Sequence, residues 1–189
     1  MIDLCNKLVD NDLAREDLLG RVEIRKTSVE DLEQICKVLA KSFNLSSHLE
    51  ALFQLGNSKA RLDESVKLVD KETGDIYGLL IFTEYPIDRG SPIRMVESGI
   101  SEYLSDYKQV NGHSFIIDER LRNSGIDKKM LHFNTEFLAE NYDLIWIGVE
   151  IGLRSHKYWE RLGFTEVFRI PEAVFYLMPL SKKMINEYL

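Results

Sequence analysis

Residues 117–131 have the sequence IDERLRNSGIDKKML. This stretch contains the end of an apolar strand, a short polar loop and the start of a helix. Gly125 lies in that loop and permits a sharp backbone turn. The first turn of a helix exposes unpaired N–H groups and a partial positive charge, and together these bind phosphate groups. Arg122, Lys128 and Lys129 add positive charge nearby. By itself the stretch fits a phosphate-binding loop and an ordinary strand-to-helix turn equally well.

The segments on either side of this loop extend it into a strand–loop–helix–strand unit. Residues 112–118, GHSFIID, are typical of a strand, and residues 126–140 have the apolar spacing of a helix. Residues 143–150, DLIWIGVE, are almost continuously apolar, which indicates a strand buried on both faces. A helix over 153–162 follows and ends at Gly163.

The rest of the chain also alternates between helices and strands. Strands are predicted at 21–26, 65–70, 76–82, 164–170 and 173–178, and helices at 3–19, 28–43, 47–58, 100–107 and 181–188. In the helix at 47–58 we expect Leu49, Leu52, Phe53 and Leu55 to point inward. The irregular stretch 85–111 combines acidic and aromatic residues, which would suit a cationic substrate, although a solvated loop explains it equally well.

Composition excludes several classes of protein. The chain has 189 residues, 24 Lys+Arg and 31 Asp+Glu, for a formal net charge of -7. That length suits one domain, and a negative charge disfavours general binding to nucleic acid. No apolar run approaches the ~20 residues that a membrane helix needs. The first residues lack the basic start of a signal peptide, so we expect a cytoplasmic protein with two reduced thiols, Cys5 and Cys36.

Two motifs resemble those of the GNAT superfamily of acyl-CoA-dependent N-acyltransferases. One is the loop Arg122-x-x-Gly125-x-Asp127, and the other is residues 158–167, YWERLGFTEV, in which a helix ends before Gly163-Phe164. The resemblance implies an α/β fold with a mixed, mostly antiparallel sheet of six to seven strands flanked by helices, and one strand pair that splays apart. The resemblance covers residues 21–189 as a single domain, and residues 1–20 lie outside it as a helical appendage.

The same resemblance implies a site for acetyl-CoA as co-substrate. The pantetheine arm would lie along the strand at 113–117 and the pyrophosphate on the loop amides. The implied contacts are Phe115, Ile116, Ile117, Arg122, Asn123, Ser124, Gly125, Ile126, Asp127 and Lys128. An amine of a small-molecule or peptide acceptor would attack the thioester directly. The prediction includes no metal, no membrane and no nucleic acid, and a monomer or homodimer.

His113 is the candidate general base and Tyr158 the candidate general acid. A histidine beside the cofactor strand can take a proton from an ammonium group at neutral pH, although a hydrogen-bonded structural histidine remains an alternative. Trp159 stands where many members of the superfamily carry the acidic Tyr, and Asp127 stands where they prefer Gly or Ala. These two departures favour an alternative, a catalytically degenerate protein that binds a ligand or partner. A longer acyl-CoA is a further alternative.

Overall fold

The computed structural model describes residues 14–84, 104–152 and 155–182. They form a seven-stranded sheet. Its strands are β1 (Val22–Lys26), β2 (Val66–Asp70), β3 (Ile76–Thr83), β4 (Gln109–Ile117), β5 (Leu144–Glu150), β6 (Thr165–Arg169) and β7 (Ala173–Pro179). The helices are α1 (14–21), α2 (Leu32–Ser42), α3 (His48–Asn57), α4 (Ile126–Leu138) and α5 (His156–Arg161).

The sheet is mixed and mostly antiparallel, as predicted. Its spatial order is β1-β2-β3-β4-β5-β7-β6, and only the β4–β5 pair is parallel. Alternate residues of β3 face opposite layers, because successive strand side chains point to opposite faces. Leu80 and Phe82 join the core under α4, whereas Leu79 and Ile81 join the core under α2 and α3. The helices therefore cover both faces of the sheet.

The described part of the N-terminal helix packs against the domain. Leu18 is buried beside Val22 in the core that also contains α4. The prediction that Gly20 ends this helix was wrong, since the helix continues to Arg21 and β1 begins at the next residue. Residues 1–13, with Cys5, lie outside the described residues, and the division of the chain at residue 20 stays a prediction.

Helix α3 turns a different face inward from the one its sequence indicates. Ala51 and Leu55 are buried, whereas Leu49, Leu52 and Phe53 are exposed, so the predicted inward position of these three was wrong. Positions 51 and 55 are one helical turn apart, and along this line the helix packs against α2 in the shared core. An alanine at the contact lets the two helices approach closely. The larger apolar side chains are left on the opposite side.

Two local turns of the structure have the residue types that such turns favour. Ser28 and Asp31 form the capping box of the 3-10 turn that leads into α2, and Gly74 has φ 76° in the β2–β3 hairpin. Most of the predicted stretch 85–111 (residues 85–103) and most of the predicted helix 181–188 lie outside the described residues. No helix in the described part of the chain is long and apolar enough to cross a membrane.

Candidate acyl-donor and acceptor site

The most prominent feature of the sheet is a cleft between its two parallel strands. β4 and β5 pair only at Gln109–Leu144, Val110–Ile145 and Asn111–Trp146, although both strands continue beyond these residues. The unpaired lengths of both strands line a cleft of about 1080 Å³. Backbone groups of β4 beyond Asn111 therefore face the cleft, where an extended ligand could add itself to the strand.

Gly112 stands where the two strands separate. A Cβ atom on this residue would lie 2.8 Å from Cγ2 of Ile147 on β5, well inside ordinary contact distance. Ile147 is buried, so it has little freedom to move aside. The glycine therefore permits the Ile147 side chain to pack directly against the backbone of β4 at the start of the cleft.

The loop between β4 and α4 presents free backbone amides, as the sequence predicts. Asn123 and Gly125 have φ of 62° and 81°, and this left-handed backbone turns the chain sharply into α4. The amide of Ile126 donates to Ser124 Oγ at 3.3 Å. The amides of Gly125, Asp127 and Lys128 have no acceptor within the described residues. Unpaired amides at a helix start are suited to hold a phosphate.

The structure brings most of the predicted contact residues together around this cleft. Its lining includes Phe115, Ile116, Ile117, Arg122, Asn123 and Asp127, and also both candidate catalytic residues, His113 and Tyr158. Ser124, Gly125, Ile126 and Lys128 do not line it with their side chains. Ile126 is buried in the core and Lys128 is exposed, so any contact from this part of the loop comes from backbone amides.

His113 occupies an irregular position in β4. Ser114 pairs with Ile81 and Gly112 pairs with Phe82, so His113 is the extra residue of a β-bulge. Its Nδ1 lies 2.9 Å from the Ser114 hydroxyl oxygen. One side of the ring is open to the cleft, but burial of the rest lowers the pKa of His113 below its usual value. A lowered pKa favours the neutral imidazole, which has a nitrogen able to accept a proton.

Tyr158 of α5 meets the start of α4 across the cleft. Burial raises the pKa of Tyr158 most strongly, and the negative charge of Asp127 and hydrogen bonding to its carboxylate raise it further. The Tyr158 ring centroid lies 6.1 Å from that of Phe115. A hydroxyl whose proton faces a carboxylate is a weaker acid than a free tyrosine, so this geometry does not favour Tyr158 as a proton donor.

Comparison with known proteins gives structural matches but no sequence match. No protein-family model and no curated protein matches the sequence. A GNAT family N-acetyltransferase (YhbS) from Escherichia coli, solved in complex with CoA, matches with TM-score 0.62 and 20% identity over 88% of this chain and 85% of its own. Ard1 from Thermoplasma volcanium matches with TM-score 0.60 and 13% identity, over 86% and 99% of the two chains. An aminoglycoside 6'-N-acetyltransferase complexed with coenzyme A gives 0.60 and 12%, over 84% and 97%. The chain has the GNAT fold.

Within this GNAT fold, Trp159 has a packing role. Its ring centroid lies 5.7 Å from that of Phe115 on β4 and 5.4 Å from that of Phe164, which follows the helix-ending Gly163. Gly163 has φ 96°, the left-handed conformation that closes many helices. The tryptophan thus ties α5 to β4, beside the cleft. The indole supplies no acidic proton.

A second, smaller pocket lies on the other side of His113. It has a volume of about 620 Å³ and is lined by Glu50, Phe53, Gln54, Asn57, Ser58, Thr83, Asn111 and His113. Because His113 lines both cavities, it stands where a molecule in one would meet a molecule in the other. The smaller pocket is therefore the candidate acceptor site of this GNAT fold.

Buried hydrogen bonds fix the floor of the acceptor pocket. Thr83 donates its hydroxyl to Asn111 Oδ1 at 3.0 Å, and Asn111 Nδ2 donates to the Trp146 carbonyl at 3.2 Å. This chain of bonds ties β3 to β4 and β4 to β5 at the last paired residues. The sequence does not predict that Glu50 and Phe53 line a pocket, whereas Asn111 is the last residue of the stretch 85–111 that would suit a cationic substrate. A polar Thr and Asn inside otherwise apolar strands was the available signal.

No metal site is evident near these pockets. Among the residues the structure describes, no group of three or more His, Cys, Asp or Glu side chains is arranged to hold a metal ion. Cys36 is buried on α2 and burial raises the pKa of its thiol, so it is unsuited to act as a nucleophile. The absence of a metal from the reaction stays a prediction.

Proposed function

We propose that this protein transfers an acetyl group from acetyl-CoA to a primary amine. The single observation that carries the proposal is the cleft where β4 and β5 separate, with unpaired amides of the β4–α4 loop at one end and His113 at the other. Acetyl-CoA supplies a thioester that an amine can attack without a covalent enzyme intermediate. A small molecule and a peptide amine both remain candidate acceptors. We keep the cytoplasmic location and the monomeric or homodimeric state as parts of the proposal.

The residues of the cleft suit the chemical parts of this co-substrate. The amides of Gly125, Asp127 and Lys128 would hold its pyrophosphate, with Arg122 supplying positive charge at the same place. The free backbone of β4 would pair with the amides of the pantetheine arm. The apolar side chains of Phe115 and Ile147 would cover that arm. The amides of Gly125, Asp127 and Lys128 have no competing acceptor within the described residues.

His113 would act as the general base. Its neutral imidazole would accept the proton that the attacking amine loses, either directly or through a water molecule. Ser114 holds the other ring nitrogen and fixes the orientation of the imidazole. The leaving thiolate can take a proton from solvent, since the hydroxyl of Tyr158 faces the carboxylate of Asp127.

The test is to measure acetyl-CoA binding and acetyl transfer separately. We expect calorimetric titration with acetyl-CoA to give micromolar affinity, and thiol release to require an amine. His113→Gln should lower kcat by about 100-fold, the low end for general base catalysis, and leave acetyl-CoA affinity within about twofold. Equal loss of binding and turnover would remove His113 as the base. No binding at millimolar acetyl-CoA would refute the proposed activity.

One observation favours a second candidate function. The carboxylate of Asp127 lines the same cleft as the amides of its own loop, where it would repel a pyrophosphate. A GNAT fold that binds a ligand or partner without catalysis would tolerate that charge. The thiol-release assay separates this alternative from the enzyme, because a protein without the acyltransferase activity would show no amine-dependent thiol release.

A further inference from the structure

The acceptor pocket carries a negative charge that nothing in the described chain neutralises. Among the described residues that line it, Glu50 is the one carboxylate and none is a lysine or an arginine. Glu50 Oε2 accepts hydrogen bonds from the Ser46 hydroxyl at 2.8 Å and the Ser46 backbone amide at 2.9 Å. These bonds hold the pKa of Glu50 below its usual value. Oε1 has no partner within the described residues, so an ionised oxygen remains available to a ligand.

An aromatic ring stands next to this carboxylate on the same helix. Phe53, one turn along α3 from Glu50, lines the pocket although 69% of its surface is exposed. An exposed phenyl ring beside a fixed anion is a favourable place for a cation, which the ring attracts through its electron-rich face. Helix α3 thus supplies both groups: Glu50, and Phe53, which the sequence predicts to point inward.

A nitrogen that Glu50 binds as an ammonium ion is not the nitrogen that attacks the thioester. An ammonium group held by a carboxylate keeps its proton more firmly, because the opposite charge favours its charged form. The nitrogen that attacks a thioester must instead lose a proton and expose its lone pair. His113 lies on β4 and Glu50 on α3, so the pocket places the proton acceptor and the fixed anion on different elements.

We infer that the acceptor is a diamine, or another amine with a second positive centre, whose non-reacting cation is held by Glu50 and Phe53 while its other amine reacts beside His113. This inference rests on the proposed acetyl transfer and names the class of acceptor for the same site. A pocket of about 620 Å³ has room for such a molecule. The neutral polar groups of Gln54 and Asn57 can bind its remaining hydrogen-bonding groups.

The test compares straight-chain diamines of three to eight carbons with the monoamines and amino alcohols of the same length. Initial rates of thiol release are measured with saturating acetyl-CoA. We expect the best diamine to have a kcat/KM at least tenfold above that of its amino alcohol. Glu50→Gln should lower kcat/KM for that diamine by about tenfold, mainly through KM, and change the monoamine rate less than twofold. The glutamine keeps an oxygen for the Ser46 amide, so α3 should fold normally.

Glu33→Gln is the matched control, because it removes the same charge from an exposed position on α2 that does not line the pocket. It should leave both substrates unchanged. Equal rates for diamine and amino alcohol, or an equal effect of Glu50→Gln on diamine and monoamine, would overturn the inference while leaving acetyl transfer intact. Calorimetric binding of the diamine that Glu50→Gln abolishes, without thiol release from any amine, would uphold the cation site and overturn the proposed transfer.

Discussion

Replacing Gly112 with alanine tests whether a close contact holds the cleft in shape. The new Cβ atom would lie 2.8 Å from Ile147 Cγ2, about 1 Å closer than two carbon atoms prefer. Overpacking of this kind costs about 1–3 kcal/mol. The loss of glycine freedom in the unfolded chain offsets about 0.4–1 kcal/mol of that cost. We expect Gly112→Ala to lower the free energy of unfolding by about 1–2 kcal/mol, combining these two effects.

Thermal and urea unfolding would measure this loss. A change of about 1–2 kcal/mol corresponds to a Tm lower by about 2–8 °C in a chain of this size. Gly148→Ala is the matched control, since Gly148 lies on β5 one residue beyond Ile147 and its nearest neighbour would be Phe175 Cε1 at 3.4 Å, an ordinary contact. We expect that variant to change stability by less than about 0.5 kcal/mol.

A double mutant identifies the contact itself. Ile147→Ala alone should cost about 2–5 kcal/mol, because it leaves a cavity in the core. Combined with Gly112→Ala, it removes the methyl group that the new Cβ atom would meet. The stability lost in the double variant should therefore be smaller, by about 1 kcal/mol, than the sum of the losses in the two single variants. Strictly additive costs, or a Gly112→Ala variant as stable as wild type, would refute the reasoning.

Three further predictions concern the loop proposed to bind the co-substrate, the proposed general base and the core. Asp127→Asn should tighten CoA binding about fivefold by calorimetry, or about 1 kcal/mol, because it removes a charge that repels pyrophosphate. Tyr158→Phe leaves that charge in place and should not increase the affinity. An unchanged affinity in Asp127→Asn would show that the carboxylate does not repel the pyrophosphate. For the base, the quantity to measure is the ratio of wild-type kcat/KM to that of His113→Gln, because the ionisation of the amine cancels in this ratio. We expect the ratio to be constant above pH 7 and to fall only below about pH 6.5, because burial lowers the pKa of His113 and protonation removes the base. A ratio independent of pH down to about 4.5 would contradict this role. Asn134 on α4 is 1% exposed, and neither polar atom of its side chain has a hydrogen-bond partner in the described chain. Asn134→Leu should therefore raise the free energy of unfolding, measured by urea titration, by about 1 kcal/mol. A loss of stability would show that Asn134 makes a buried hydrogen bond.

The β4–α4 loop shows how far local sequence signals reach. Gly125, the residues before it and the apolar period of α4 predict a sharp turn and a helix start, and the structure has both. Such signals act over a few residues, through backbone sterics and hydrogen bonds within one turn. The same local chemistry explains the cap at Ser28 and the turn at Gly74.

Helix α3 shows where the local signals stop. Its apolar residues allow more than one inward face. Ala51 and Leu55 form the buried face in the structure, because these positions fit closely against α2. Sequence periodicity favours the larger side chains, since it cannot include the shape of the neighbouring helix. The result matters for function because the exposed Phe53 then lines the acceptor pocket.

The sequence by itself determined the order of helices and strands and the free amides of the loop at Gly125. It did not determine the pairing of β4 with β5 beside Gly112, because the contact of Gly112 with Ile147 joins residues that are distant along the chain. Tertiary structure alone decided where that pairing ends, which places His113 between two cavities and Asp127 opposite Tyr158. The physical reason is distance along the chain. A turn or a helix is stabilised by neighbours in sequence, whereas the cleft is formed by side chains on strands and helices that meet only when the whole sheet has assembled.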